Sequence, residues 1–296
     1  MGRRRGGSAA QRHGHADLPA RRAARRGGRE LSRRRAPERL PGLVDSHCHL
    51  QDPAFAADLP AVLERARAAG IERIVVPGWD AASSEAALEL ATRHPDLLVA
   101  AVGIHPNWSA QSSEDDLRRV EALAAEESVV AVGEIGLDNH HGHASPAVQE
   151  ATLERMLALA ARVAKPVLVH DRLAHEAVTG RLLAWAGPGR AVPGILHCFS
   201  GDAAMASMLA GAGFLISFAL PVTFSSARGP RAAALEIPDA ALLVETDAPY
   251  LGFARGQRNE PTTTLRVAAE LARLRGTTPE AVAALASANL ERALAR

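Results

Sequence analysis

In this 296-residue chain, the residues best suited to chemistry stand where short apolar runs end. The first run ends in His47-Cys48-His49, and later runs end in Glu134, His170, His197 and Asp247. Residues two apart in an extended segment share a face, so His47 and His49 point together while Cys48 points away. Four imidazoles and two carboxylates suit a pair of divalent cations, because each ion takes three or four protein ligands and keeps room for water. A lone histidine ending a strand is ordinarily a hydrogen-bonded structural residue. Here one structural explanation would have to hold six times over.

The elements that must bring these residues together follow from periodicity. Val, Ile and Leu runs at residues 43–47, 73–77, 98–104, 129–134, 166–170, 194–197, 214–218 and 242–247 predict eight strands. Between and after them, stretches of helical period predict helices at 60–69, 84–93, 114–126, 146–164, 175–186, 203–210, 232–235, 262–275 and 279–295. Strands buried on both faces read as continuous apolar runs, as these do. Eight β-α units in about 250 residues predict an α/β fold, a single-domain (β/α)8 TIM barrel whose strand C-termini meet at one mouth. A doubly wound open sheet would instead begin with a glycine-rich phosphate turn, and Asp45-Ser46-His47-Cys48-His49 contains no glycine.

Composition sets further bounds. The formal charge of +1 hides a division: residues 1–40 carry thirteen arginines and three acids, for +10, and the remainder carries −9. The Arg-rich segment has no apolar period and is expected to be a disordered extension of a domain spanning 41–296. Its arginine pairs are followed by no apolar signal region, so a secretory reading is weak. An acidic body implies that any bound polyanion is met by local cations or metal ions. Two cysteines in this length exclude a disulfide framework and point to a reducing, cytoplasmic compartment. The uncharged window between Asp202 and Arg228 is long enough to raise a membrane span, but Gly211-Ala212-Gly213 and Pro221 divide it into a buried helix and a buried strand.

Several segments resemble the TatD-type metal-dependent hydrolases. They are Val44-Asp45-Ser46-His47-Cys48-His49-Leu50, Gly103-Ile104-His105-Pro106, Val132-Gly133-Glu134-Ile135-Gly136-Leu137-Asp138, His197-Cys198-Phe199-Ser200-Gly201 and Glu245-Thr246-Asp247-Ala248-Pro249-Tyr250-Leu251. Gln257-Arg258-Asn259-Glu260-Pro261 is similar to the family's segment after strand eight. The resemblance implies a deoxyribonuclease on an amidohydrolase-like barrel, with magnesium, manganese or zinc as its ions. Carried onto this chain, it implies that His47, His49, Glu134 and Asp247 hold one ion and that Glu134, His170 and His197 hold a second, Glu134 bridging. The chain departs from the family pattern at Asn139-His140-His141-Gly142-His143, where an aromatic pair is common; this cluster reads as a solvated loop.

Phosphodiester hydrolysis needs a nucleophile and neutralisation of the charge building on the phosphoryl oxygens, and two cations about 4 Å apart supply both. Asp247 is the candidate proton acceptor from the attacking water. His105, ending the third strand in a His-Pro turn, is placed to contact a phosphate, to protonate the leaving group or to brace its loop. Arg172 and Arg258 are the candidate phosphate clamps by position, each equally readable as a surface arginine. Of ten aromatic residues, Phe55, Trp79, Trp108, Phe199, Phe218, Phe224, Tyr250 and Phe253 fall at or beyond strand C-termini. Such rings suit either the anchoring of loops or the stacking of unpaired bases, with Trp79, Trp108 and Tyr250 foremost for stacking, and the expected substrate is DNA, single-stranded or at strand ends. Cys48 and Cys198 read as small buried side chains. Two other functions fit the same residues: a deacylase cutting an ester or amide on the same metal centre, and a non-enzymatic nucleic-acid binder using the basic arm.

Overall fold

The computed structural model describes residues 36–187, 192–254 and 256–295. The expected disordered arm lies, but for its last residues, outside them. Leu40 is buried in the core and donates its backbone N–H to Ala69 O at 2.8 Å.

Eight parallel strands follow one another in chain order around a barrel: β1 Leu43–Asp45, β2 Ile71–Pro77, β3 Leu98–Val102, β4 Val129–Asp138, β5 Val167–Arg172, β6 Gly194–Leu196, β7 Leu215–Phe218 and β8 Leu242–Val244. Around them lie α1 Leu59–Ala68, α2 Ala81–Arg93, α3 Glu114–Ala125, α4 Pro146–Arg162, α5 His175–Ala186, α6 Ala203–Gly211, α7 Arg228–Glu236, α8 Thr264–Arg275 and α9 Pro279–Leu294. The expected (β/α)8 barrel is therefore the observed one. Strand residues such as Ile74, Val75, Val76, Val167, Leu168 and Val169 are fully buried whichever way they point, which explains why the runs do not alternate.

Helix starts are encoded locally. Asp80 and Ser113 each accept a hydrogen bond from the backbone three residues on and complete capping boxes for α2 and α3. Ser145-Pro146 and Thr278-Pro279 combine an N-cap oxygen with a proline whose missing N–H costs nothing in the first turn.

The first and last strands are joined by backbone hydrogen bonds at the mouth. Ser46 N–H donates to Val244 O at 3.0 Å, Asp247 N–H to His47 O at 2.9 Å and His49 N–H to Ala248 O at 2.7 Å. Beneath them the buried Asp45 carboxylate accepts from Thr246 N at 2.9 Å and Thr246 Oγ1 at 2.6 Å. This seam sets His47 and His49 against Asp247, almost 200 residues away.

Most element boundaries differ from the sequence expectation by a few residues, and at β4 and β8 the backbone conformation gives the reason. β4 continues four residues past Glu134 to Asp138, because Gly136 takes φ +147° and packs its Cα against the His170 backbone. β8 stops at Val244, because Asp247 turns into the left-handed region at φ +57°. α7 starts at Arg228 rather than residue 232. Among the described residues no helix is long and apolar enough to cross a membrane. The uncharged window after Asp202 divides into α6 and β7.

A Cβ at position 136 would lie 1.9 Å from His170 O. Gly136→Ala is therefore expected to destabilise the fold by more than about 1 kcal/mol in urea unfolding. Gly180→Ala, within α5 and with nothing within 4 Å of the added carbon, is expected to stabilise by about 0.4–1 kcal/mol.

Candidate metal centre

All six residues singled out at strand ends meet at the barrel mouth, and the Glu134 carboxylate, 4% exposed, stands at their middle. Its two oxygens face different neighbours. Oε2 lies 3.2 Å from His47 Nε2 and 3.4 Å from His49 Nε2. Asp247 Oδ1 completes this group at 3.8 Å from His47 Nε2 and 3.6 Å from His49 Nε2. Oε1 lies 2.9 Å from His170 Nδ1, 2.9 Å from His197 Nε2 and 3.2 Å from His105 Nε2. Donor atoms around a tetrahedral ion stand roughly 3.3–3.6 Å apart for bonds of about 2.0–2.2 Å, so the spacing of the first group fits a bound cation. The mixture of imidazole nitrogen and carboxylate oxygen fits as well.

The outer nitrogens of the rings decide what the inner ones offer. His49 Nδ1 donates to Pro77 O at 3.1 Å, which directs Nε2 inward, where it offers a lone pair once the ring gives up its second proton. His170 faces Asp138 Oδ2 with Nε2 at 3.2 Å, which leaves Nδ1 for the centre. His197 turns Nδ1 towards Glu245 Oε1 at 3.5 Å, longer than a good hydrogen bond. Carboxylates and carbonyls behind imidazoles are the usual support of metal-binding histidines. His105 is wired the other way. The backbone N–H of Asn107 donates to its Nδ1 at 3.0 Å, so the neutral ring carries its proton on Nε2 and donates to Glu134. Although its Nε2 shares a small volume with Glu134 and His170, His105 therefore presents an N–H rather than a lone pair.

Electrostatics follow from so many groups in a dry space. Burial works against the charge on Glu134, but the rings of His197, His105 and His47 hold its carboxyl well below the usual range. Burial would depress His49, yet Asp247 and Glu134 overcome it and push its pKa up to about 9. His47 is lowered, by burial first and then by His197. Burial brings His105 down to about 4, so it is neutral at pH 7.

Above the cluster opens a cavity of about 320 Å³, lined by Trp79, Trp108 and Tyr250 as well as by the polar centre. Trp79 and Trp108 stand 6.0 Å apart between centroids, and His49 lies 5.8 Å from Tyr250. Phe55, Phe199 and Phe218 do not share this surface; they are buried and anchor the core, which corrects the expectation of a platform at those three positions. Phe224 and Phe253 are exposed.

The two candidate arginines part company. Arg172 ends β5 on the exposed rim, and among the described residues no ion pair engages it. Arg258 is already committed, correcting the phosphate-clamp expectation: its guanidinium binds Asp58 through 2.6 and 2.7 Å contacts, donates to Ala54 O and lies 4.9 Å over the Phe55 ring. It braces the loop after β8 against the start of α1. Cys48 is buried as expected, whereas Cys198 is only partly so.

Sequence reasoning missed four supporting residues. Asp138 accepts from His170, from His141 Nδ1 at 2.7 Å and from Asn107 Nδ2 at 3.2 Å. Buried Gln149 receives the Asp138 N–H at 2.8 Å, and Glu245 stands behind His197. For Asp138 the signal was present, since it is an acid four residues beyond Glu134 on the same strand. Glu245 opened the segment that resembles the family but was given no role, and nothing marked Asn107 or Gln149. His141 and His143, read as a solvated loop, line the cavity.

Comparison with known proteins agrees with this geometry. The family described as TatD related DNase matches residues 44–295. A Bacillus subtilis protein named uncharacterized metal-dependent hydrolase YabD is 39% identical over 252 residues, covering 84% of this chain and 98% of that protein. The Edwardsiella piscicida protein named 3'-5' ssDNA/RNA exonuclease TatD is 36% identical over 241 residues, covering 79% and 92%. The crystal structure of YjjV, a TatD homologue from Escherichia coli K12, superposes with a TM-score of 0.80 at 33% identity, covering 86% of this chain and 98% of that one. With its histidines, glutamate and aspartate grouped as a cation requires and this match running through the whole barrel, the chain belongs to the TatD-related DNase family and is a metal-dependent hydrolase.

Proposed function

We propose that the chain is a two-cation phosphodiesterase acting on single-stranded DNA at strand ends, with residues 41–296 as the catalytic unit. The observation that carries this reading is the division of the Glu134 carboxylate, one oxygen towards His47 and His49 and the other towards His170 and His197. On this reading His47, His49, Glu134 and Asp247 hold one ion, and Glu134, His170 and His197 hold the other. Of magnesium, manganese and zinc, so many imidazoles favour zinc over magnesium. The single-stranded substrate is supported by the name of the Edwardsiella piscicida relative and by the half-exposed Tyr250 and the tryptophans around the cavity.

Held by these residues, cations would supply polarisation of a phosphoryl oxygen and a more acidic water molecule. The protein's own groups do the rest. Asp247, 14% exposed at the cavity, accepts the proton that the attacking water loses. The His105 Nε2–H, on a ring neutral at pH 7 and fixed by Asn107, points at Glu134 Oε1 and would turn to an oxygen of the reacting phosphate once cations hold that carboxylate. Arg172 on the rim, free of ion pairs among the described residues, meets a neighbouring phosphate. Asp138 holds the His170 ring at the angle its inner nitrogen needs.

Metal-stripped protein is expected to lose cleavage of labelled single-stranded DNA and to regain it when one kind of ion is restored, with two ions per chain. Cleavage that survives stripping overturns the reading, and hydrolysis of carboxylic esters in place of DNA assigns the centre to a deacylase. Asp247→Asn is expected to lower kcat roughly 10²–10⁴-fold in single-turnover assays while ions remain bound; full turnover removes its role as base. Asp138→Asn is expected to weaken ion binding about 10–100-fold by calorimetry. Because the His49 pKa stands at about 9 without cations, that ring is protonated at pH 7 and must release its proton on loading. Ion affinity is thus expected to rise with pH between about 7 and 9, by about tenfold per unit for each proton displaced, with acid release measurable in weak buffer.

A further inference from the structure

The loop between β4 and α4 carries three histidines that the centre does not use, and it is more organised than a solvated turn requires. Asp138 Oδ1 accepts the backbone N–H of His140 at 2.8 Å and of His141 at 3.0 Å. Asn139 bonds the neighbouring strand end through its N–H to Arg172 O at 2.9 Å and its Nδ2 to Leu173 O at 3.0 Å. Gln149 closes the loop from below, its Nε2 donating to Asp138 O at 3.0 Å and Ala144 O at 3.1 Å.

The result is a fixed presentation of two rings. His141 gives Nδ1 to Asp138 Oδ2, which leaves Nε2 as its free ring nitrogen, and the His143 ring lies parallel to it within 11°, centroids 5.9 Å apart. Both line the cavity, whereas His140, between Asn139 and His141 in the same loop, does not. In an eight-stranded barrel the end of β4 stands across the mouth from the end of β8, which carries Tyr250. Tyr250, Trp79, Trp108 and the His141/His143 pair therefore form an arc of rings around half the mouth, following β8, β2, β3 and β4 in turn.

We propose that His141 and His143 are substrate-binding residues that hold the nucleotide flanking the scissile phosphate in a single DNA strand. Ring faces suit an unstacked base, and ring nitrogens with no hydrogen-bond partner among the described residues suit its polar edge or the sugar-phosphate backbone. Asp138 joins this wall to the centre, since the same oxygen serves His141 at 2.7 Å and His170 at 3.2 Å. The inference rests on the single-strand nuclease reading and adds a specificity element to it.

The test uses the full chain and a fluorescein-labelled oligodeoxythymidylate. In metal-stripped protein His141→Ala and His143→Ala are each expected to weaken binding by roughly fivefold or more in fluorescence anisotropy. With ions restored, the same variants are expected to raise KM for the oligonucleotide more than they lower kcat. His140→Phe, which keeps the ring edge set against His141 with centroids 4.7 Å apart and lies outside the cavity, is expected to match wild type, and all three variants should keep the wild-type unfolding midpoint. Equal losses in His140→Phe and His141→Ala would trace the effect to loop integrity and overturn the proposal. So would unchanged binding in both cavity variants, or loss of one bound ion per chain in the His141→Ala/His143→Ala double variant, which would make the loop a cation site. Wild-type protein that neither binds nor cuts the oligonucleotide would overturn the nuclease reading itself, a result distinct from any difference between variants.

Discussion

A buried glutamate holds the mouth of this barrel together. Glu134 is nearly inaccessible to water, and a carboxylate moved into such a place loses its hydration unless charge or hydrogen bonds replace it. Here the replacement comes from imidazoles on four separate segments, those carrying His47 and His49, His105, His170 and His197. Each strand end must therefore arrive at the right height and register, and the barrel's short strands, seam and glycine contacts are the means by which they do. The irregular register between Val132 and Ile135 of β4 falls at Glu134 itself, where the strand leaves its even pairing with β5.

The same arrangement distinguishes histidines that look alike in sequence. His49 and His170 receive acceptors at their outer nitrogens, Pro77 O and the Asp138 carboxylate. His105 receives a donor, the Asn107 N–H. One hydrogen bond thus separates rings that offer a lone pair to the centre from a ring that offers a proton. Protonation and orientation are fixed by the scaffold before any substrate arrives, which is how a rigid site avoids reorganising during reaction.

An acidic body with a net −9 beyond residue 40 is a poor general attractant for a polyanion. On the proposed reading, binding depends on local features of the mouth: the proposed ions, the Arg172 guanidinium, which makes no ion pair among the described residues, and the ring-bearing arc. Ring contacts need no positive field and accept any base, so they suit a protein whose surface charge opposes its substrate.

The order of types along the chain determined the architecture and the inventory of the centre. Apolar runs of strand length alternating with helical stretches permit few folds other than a (β/α)8 barrel, and the strand C-termini of that barrel converge by construction. Metal-ligand residues ending several runs were consequently legible as one site before any coordinate was known. What the sequence left open were pairings between residues far apart in the chain. Arg258 looked like a free phosphate clamp until Asp58, 200 residues earlier, took both arms of its guanidinium. His141 and His143 looked solvated because the anchor of His141, Asp138, is shared with His170 on another strand, and His143 stacks on His141. Phe55, Phe199 and Phe218 follow strand ends in sequence but turn into the core in space. Residue type and period are local properties of the chain, whereas which nitrogen carries a proton and which cation is already paired depend on distances that only the closed barrel creates.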